Sequence, residues 1–333
     1  MARIPVKSAG IIALCAAGVT LLGIAPSSVG AQEGTQALSP ATGHSDAPVT
    51  TRSLPIFYDQ ALAMKGFPNP LVKAQIARHE AIFIVDSGAS VSILADWYVK
   101  AAGIPANKTG SVVTGASGKA APARLVHRLR GQWSDGQRFR LGEAMVIAFP
   151  PYFESLHLGG LVSPQALAPA GMAAVLDLRV PSLRFVPYER ALSELRQSTT
   201  PTAAIDLTPP CQYRGANHMN RLYSAVVKAA GATDHMLIDT GATGSIFSDQ
   251  SNIAHAIGSG SELDAPSDAV GDTVTTNRIV RDVAIQRGGG TVTLSPDVGK
   301  SSALCNVQGR LGMDALRSCL LILGEKQMAF SCG

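Results

Sequence analysis

The stretch Ala81-Ile-Phe-Ile-Val-Asp-Ser-Gly-Ala-Ser-Val-Ser-Ile-Leu94 recurs 153 positions later as Asp234-His-Met-Leu-Ile-Asp-Thr-Gly-Ala-Thr-Gly-Ser-Ile-Phe247. In each copy an apolar run ends in an aspartate that is followed by a small hydroxyl residue, glycine and alanine. A second marker follows in the same order: Gly160-Leu-Val-Ser-Pro-Gln-Ala-Leu167 recurs as Gly309-Arg-Leu-Gly-Met-Asp-Ala-Leu316, at an offset of 149. Two markers at nearly equal offsets predict a chain built twice to one plan, and an internal repeat of this kind sets the architecture before any local assignment.

Outward from these markers the segments are short and β-branched or alternating. They include Arg124 to Leu129, Met145 to Phe149, Leu222 to Val227, Met236 to Ile238, Arg278 to Ile285 and Thr291 to Leu294, with Gly-rich connections such as Arg287-Gly-Gly-Gly290. That pattern predicts hairpins and a mostly β fold. One short helix is expected in each half, at Pro164 to Leu167 and at Met313 to Arg317. Paired apolar runs then follow each helix: Ala174 to Leu178 with Leu183 to Val186, and Leu320 to Leu323 with Met328 to Phe330.

The chain has 333 residues, enough for about two domains. Charged residues are 16% and hydrophobic residues 46%, a composition that fills a core and excludes disorder of the whole chain. A formal charge of +4 with no Lys/Arg cluster gives no footprint for nucleic acid. Residues 1–31 read as a signal peptide: Arg3 and Lys7 precede the apolar run Ile11 to Ala25, and Val29-Gly30-Ala31 offers a small-residue cleavage site. The apolar run is shorter than the roughly 20 residues a membrane span needs. Leu14 before Cys15 does not fit a lipidation site. Residues 32–53, rich in Ser, Thr, Ala, Pro and Gly, read as a flexible leader. Residues 189–205 read as a linker that begins as a solvated charged helix. It separates a first lobe at 54–188 from a second at 206–333.

Export implies an oxidising compartment, periplasmic or extracellular, for the four cysteines left after cleavage: Cys211, Cys305, Cys319 and Cys332. Three connectivities are open. If Leu320 to Leu323 and Met328 to Ser331 form a hairpin turning at Glu325-Lys326, facing residues have numbers summing to 651. Cys319 and Cys332 satisfy that sum, which favours Cys319–Cys332 with Cys211–Cys305.

The chemistry is expected at Asp86-Ser87-Gly88-Ala89 and Asp239-Thr240-Gly241-Ala242. A strand buried on both faces delivers each aspartate into a tight turn whose glycine lets backbone approach closely. If a pseudo-twofold axis relates the halves, the two carboxyls meet there. They cannot both ionise, so they hold one proton jointly and offer an acid and a base at once. The hydroxyls of Ser87 and Thr240 can bond across to the opposite half. The seven histidines show no metal-ligand spacing, and Ser117 in Gly115-Ala-Ser-Gly118 falls short of a Gly-x-Ser-x-Gly elbow. Neither a metal nor a cofactor is expected.

At these residues the sequence resembles the aspartic proteases, and within them the retropepsin-like branch. The resemblance covers roughly residues 54–333. It implies two retropepsin-like β-barrel lobes in one chain, an intramolecular pseudo-dimer, with Asp86 and Asp239 as catalytic residues. Ser87, Gly88, Ala89, Thr240, Gly241 and Ala242 would support the active-site turns. The substrate is then a peptide or protein, and the molecule a monomer. A non-catalytic peptide-binding protein of the same fold is the alternative. The family's hydrophobic-hydrophobic-Gly element is matched by Arg310-Leu311-Gly312, with Arg in its first place, and by Leu161-Val162-Ser163, with Ser in place of Gly. A flap is implied near Thr114 to Ala123, with Gly115 and Gly118, and a counterpart near Val270 to Asn277, with Gly271. Pepsin-like motifs commonly carry a hydroxyl after the glycine. Ala89 and Ala242 offer none, which leaves the carboxylates less stabilised and predicts a mildly acidic optimum, roughly pH 4 to 6.5.

Overall fold

The computed structural model describes residues 18–20, 53–115, 120–198, 206–214, 219–258, 260–265, 275–300 and 304–333. The rest of the expected signal peptide, all of the expected leader but Ser53, the end of the linker, and Gly118 and Gly271 lie outside these residues. Gly18–Thr20, inside the expected signal peptide, pairs antiparallel with Val112 to Thr114.

The fold is mostly β, in curled sheets. In the first half the aspartate-bearing strand His79–Val85 runs between Leu71–Ile76 and Leu158–Val162, antiparallel to the former and parallel to the latter. Ser92–Ala95 then pairs antiparallel with Leu158–Val162 and parallel with Arg138–Ile147. The same sequence of pairings recurs in the second half. Ala232–Ile238 lies between Ser224–Ala229 and Gly309–Leu311, and Ile246–Ser248 pairs antiparallel with Gly309–Leu311 and parallel with Asp297–Gly299. The parallel neighbour follows from sequence logic: the second marker of each half must return beside the first, and a parallel strand buried on both faces reads as an unbroken apolar run.

Two expectations are corrected. The halves do not both close as barrels. In the first half the 14-residue strand Ala120–Trp133 pairs with Asn107–Thr114, Leu71–Ile76 and Arg138–Ile147, and so closes the ring. The corresponding hairpin of the second half, Val283–Arg287 with Gly290–Leu294, has only five residues a side and reaches Ser224–Ala229 alone. Among the described residues the second sheet is curled but open.

The second correction concerns residues 189–205. The expected helix forms, as Tyr188–Ser198, but it is not solvated all round: its Ala191, Leu192 and Leu195 are buried against Ala173, Val175, Val186, Leu320, Ile322 and Ala329. Tyr188, Ala191, Leu192 and Leu195 stand at i, i+3, i+4 and i+7, one helical stripe. The sheet beneath belongs to both halves: its order is Asp206–Thr208, Met328–Cys332, Cys319–Leu323, Met172–Asp177, Ser182–Pro187 and Leu54–Pro55. The strands after each short helix therefore leave their own halves and join one another, Val175 pairing with Ile322.

Both disulfides form as the register suggested. Cys319 and Cys332 are direct cross-strand partners with Cα atoms 4.0 Å apart, and Cys211–Cys305 spans 94 residues. The short helices stand at Pro164–Leu167 and Met313–Leu316.

Truncating Leu195 removes a buried side chain from the helix that covers the shared sheet. Leu195→Ala should cost roughly 2–4 kcal/mol in denaturant unfolding, while truncation of the exposed Gln197 leaves the midpoint unchanged; equal effects would mean that the helix does not pack there.

Candidate active site

Each aspartate is presented at the end of a buried strand. Its backbone N–H donates to the neighbouring parallel strand, Asp86 to Val162 O at 2.9 Å and Asp239 to Leu311 O at 3.1 Å. The chain then turns back on the carboxyl. Gly88 N and Ala89 N donate to Asp86 Oδ1 at 2.8 and 3.2 Å, and Ala242 N donates to Asp239 Oδ1 at 3.0 Å.

The turns are bolted to one another. Ser87 Oγ donates to Ile238 O at 2.8 Å and accepts from Thr240 N at 3.1 Å; Thr240 Oγ1 donates to Val85 O at 2.7 Å and accepts from Ser87 N at 3.0 Å. A hydroxyl both donates and accepts, so two of them satisfy four backbone groups between the halves.

This bolt brings the carboxyls face to face. Asp86 and Asp239 are both 0% exposed. A methyl placed on Gly88 would lie 2.6 Å from Asp239 Cγ, and one on Gly241 would lie 2.6 Å from Asp86 Oδ1. Each carboxyl thus rests on the glycine of the opposite turn, and any side chain there would push the pair apart. Ala89 and Ala242 are fully buried and bring no hydroxyl. The Oδ2 atoms of both aspartates meet no protein donor.

Burial raises the pKa of Asp86 well above the usual carboxylate range, and the negative charge of Asp239 adds to it. Burial also raises Asp239, to about 6, against the opposing pull of the Arg310 charge and the hydrogen bond from Asp86. Two carboxyls so placed titrate as a unit.

Two amides that motif reading passed over hold the turns from outside. Asn69 Nδ2 donates to Thr240 O and Gly241 O, both at 2.9 Å, and so reaches from the first half to the second-half turn. Gln165 Nε2 donates to Ser87 O at 3.0 Å and Ala89 O at 2.8 Å. Gln165 stood within the second marker, but nothing local showed where its amide would point. Its repeat counterpart, Asp314, instead accepts from Ser245 N and Oγ. The departure at Ser163 is absorbed. Ser163 N donates to Ser92 Oγ as Gly312 N does to Ser245 Oγ, and the Ser163 hydroxyl caps the following helix by accepting from Ala166 N.

Of the remaining predicted residues, Gly115 is buried at the end of the strand Asn107–Thr114, whose hairpin partner begins at Ala120. Of the second expected flap, near Val270 to Asn277, residues 270–274 lie outside the described residues, and Thr275 to Asn277 belong to the strand Thr275–Ile279, which pairs with Ser261–Ala265. The four cysteines are structural and stand apart from the aspartates in the pairings above.

Because burial raises both carboxyls, the folded state binds more protons than the unfolded chain between about pH 4 and 6. The associated stability is present below the unfolded pKa and is lost as pH rises through the folded one. Asp239→Asn should flatten that slope in denaturant unfolding followed between about pH 4 and 7. Parallel pH profiles for the two proteins would contradict a shared proton.

No protein-family model and no curated protein matches the chain. Among solved structures it is similar to the basic 7S globulin from soybean, at 10% identity and a TM-score of 0.47, over 85% of this chain and 95% of that one.

Proposed function

We propose that this chain is an exported aspartic endopeptidase of the retropepsin-like kind, with Asp86 and Asp239 as its catalytic pair, related by a pseudo-twofold axis within a single monomer. The observation that carries the proposal is the contact of two fully buried carboxyls, each on the glycine of the other's turn, between hydroxyls that lock the halves together.

The chemistry follows from one shared proton. The ionised carboxyl takes a proton from a water molecule, whose oxygen attacks the peptide carbonyl carbon. The protonated carboxyl gives its proton to the carbonyl oxygen, and collapse of the tetrahedral intermediate delivers a proton to the leaving amine. Neither metal nor cofactor takes part. Both carboxyls are covered, so a peptide needs an opening to reach them; in this reading the turn end of the hairpin built from Asn107–Thr114 and Ala120–Trp133 acts as the flap, and its strands offer main-chain hydrogen bonds to an extended substrate. Gly115 stands at the turn end of that hairpin, next to the last pair Thr114 and Ala120. The two disulfides fit an oxidising compartment, periplasmic or extracellular.

Cleavage of a denatured protein should be sensitive to pepstatin, should peak between about pH 4 and 6.5, and should fall by at least about 10³-fold in Asp86→Asn and in Asp239→Asn. Cleavage unaffected by either substitution refutes the pair. A wild type that binds peptides yet cleaves nothing between about pH 3 and 7 makes the chain a peptide-binding protein instead.

A further inference from the structure

The two halves differ in charge at one buried position next to the aspartates. In the first half Ile84 pairs in parallel with Leu161; in the second, Leu237 pairs with Arg310. Leu161 is 1% exposed and Arg310 only 7%. Paired residues share a face, and strand alternation puts Asp239, two residues past Leu237, on that same face. The offset is about 6.6 Å along the strand and about 4.8 Å across it, within reach of an extended arginine.

A buried guanidinium needs a counter-charge, because an isolated ion in a low-dielectric interior is strongly disfavoured. Arg310 Nε meets no protein acceptor, and among the described residues Arg310 has no ion-pair partner within 4.0 Å. Other charged groups around it are engaged or remote. Asp297 lies in the same lateral row but beyond Ile246. His235 shares the face but is exposed. Arg221, beside Leu222, lies 4.0 Å from Glu325. Asp314, on the next helix, is bonded to Ser245. Among the described residues, what remains for Arg310 is the aspartate pair, which with one shared proton carries a single negative charge.

We propose that Arg310 is a positioning residue that fixes the shared proton: it holds Asp239 as the carboxylate and leaves Asp86 as the acid. Of the influences opposing burial at Asp239, the Arg310 charge is the largest, whereas the main influences on Asp86 are burial, Asp239 and the amides of its own turn. The inference rests on the hydrolase reading and assigns its roles. Asp239 takes the proton from water as the C–O bond forms, and Asp86 protonates the carbonyl oxygen. When the C–N bond breaks, Asp239 passes its proton to nitrogen and Asp86 recovers one from the intermediate's hydroxyl, which restores the starting state.

Arg310→Leu copies the first half. A cation favours the ionised form in both titration steps, so its removal should move both limbs of the kcat/KM pH profile upward by about one unit or more, while Arg310→Lys keeps them near wild type. Limbs that stay in place while only the height of the profile falls would overturn the proposal. A carboxyl ¹³C NMR titration of the aspartates in wild type, Arg310→Lys and Arg310→Gln reads the same shift without turnover. If the wild type cleaves no peptide but the Gln variant titrates higher, the hydrolase reading fails and the placement of the proton stands; unchanged titration in the Gln variant refutes the placement.

Discussion

Two carboxyls buried against one another can carry only one negative charge between them, and much of this chain's architecture serves to hold them there. Like charges at contact distance would drive the turns apart. Against that repulsion stand the reciprocal Ser87 and Thr240 bonds, the amides of Asn69 and Gln165, and the carbonyls of Val162 and Leu311 that anchor the aspartate backbones. These contacts are local to the turns. The sheet shared by the halves adds a remote constraint, since Met172–Asp177 and Cys319–Leu323 pair directly and set the distance between the two motifs.

The repeat does not make the halves equivalent. The first half closes its ring with a 14-residue strand, while the second stays open among the described residues. Gln165 donates to the first turn, whereas its counterpart Asp314 accepts from Ser245. Arg310 replaces an aliphatic residue. A pair related by symmetry alone would share its proton evenly, and each of these differences gives the two carboxyls unequal surroundings. Unequal surroundings are what separate an acid from a base in a pair of identical groups.

Much of this was legible before any coordinates. The two motifs located the aspartate strands and the two later markers both short helices, because each rests on local chemistry: an apolar run, a tight turn, a cap. The pairing of Cys319 with Cys332 followed from hairpin register. What escaped was non-local. The charges of Glu189, Arg190, Glu194 and Arg196 drew the eye from the stripe of Tyr188, Ala191, Leu192 and Leu195, which is apolar only on the face turned to the shared sheet. That sheet joins strands about 150 residues apart and leaves no periodic signature in either. Asn69 and Gln165 are single amides, and nothing in their neighbours says which carbonyls they will find.

The central claim is that Asp86 and Asp239 touch and hold one proton jointly. Neutron diffraction from crystals exchanged into heavy water near pH 7, above the Asp239 value of about 6, reads this directly. One deuteron on the pair, bound to Asp86 and directed at Asp239, is the predicted density; a deuteron on each carboxyl, or carboxyls separated by a full layer of solvent, would contradict it.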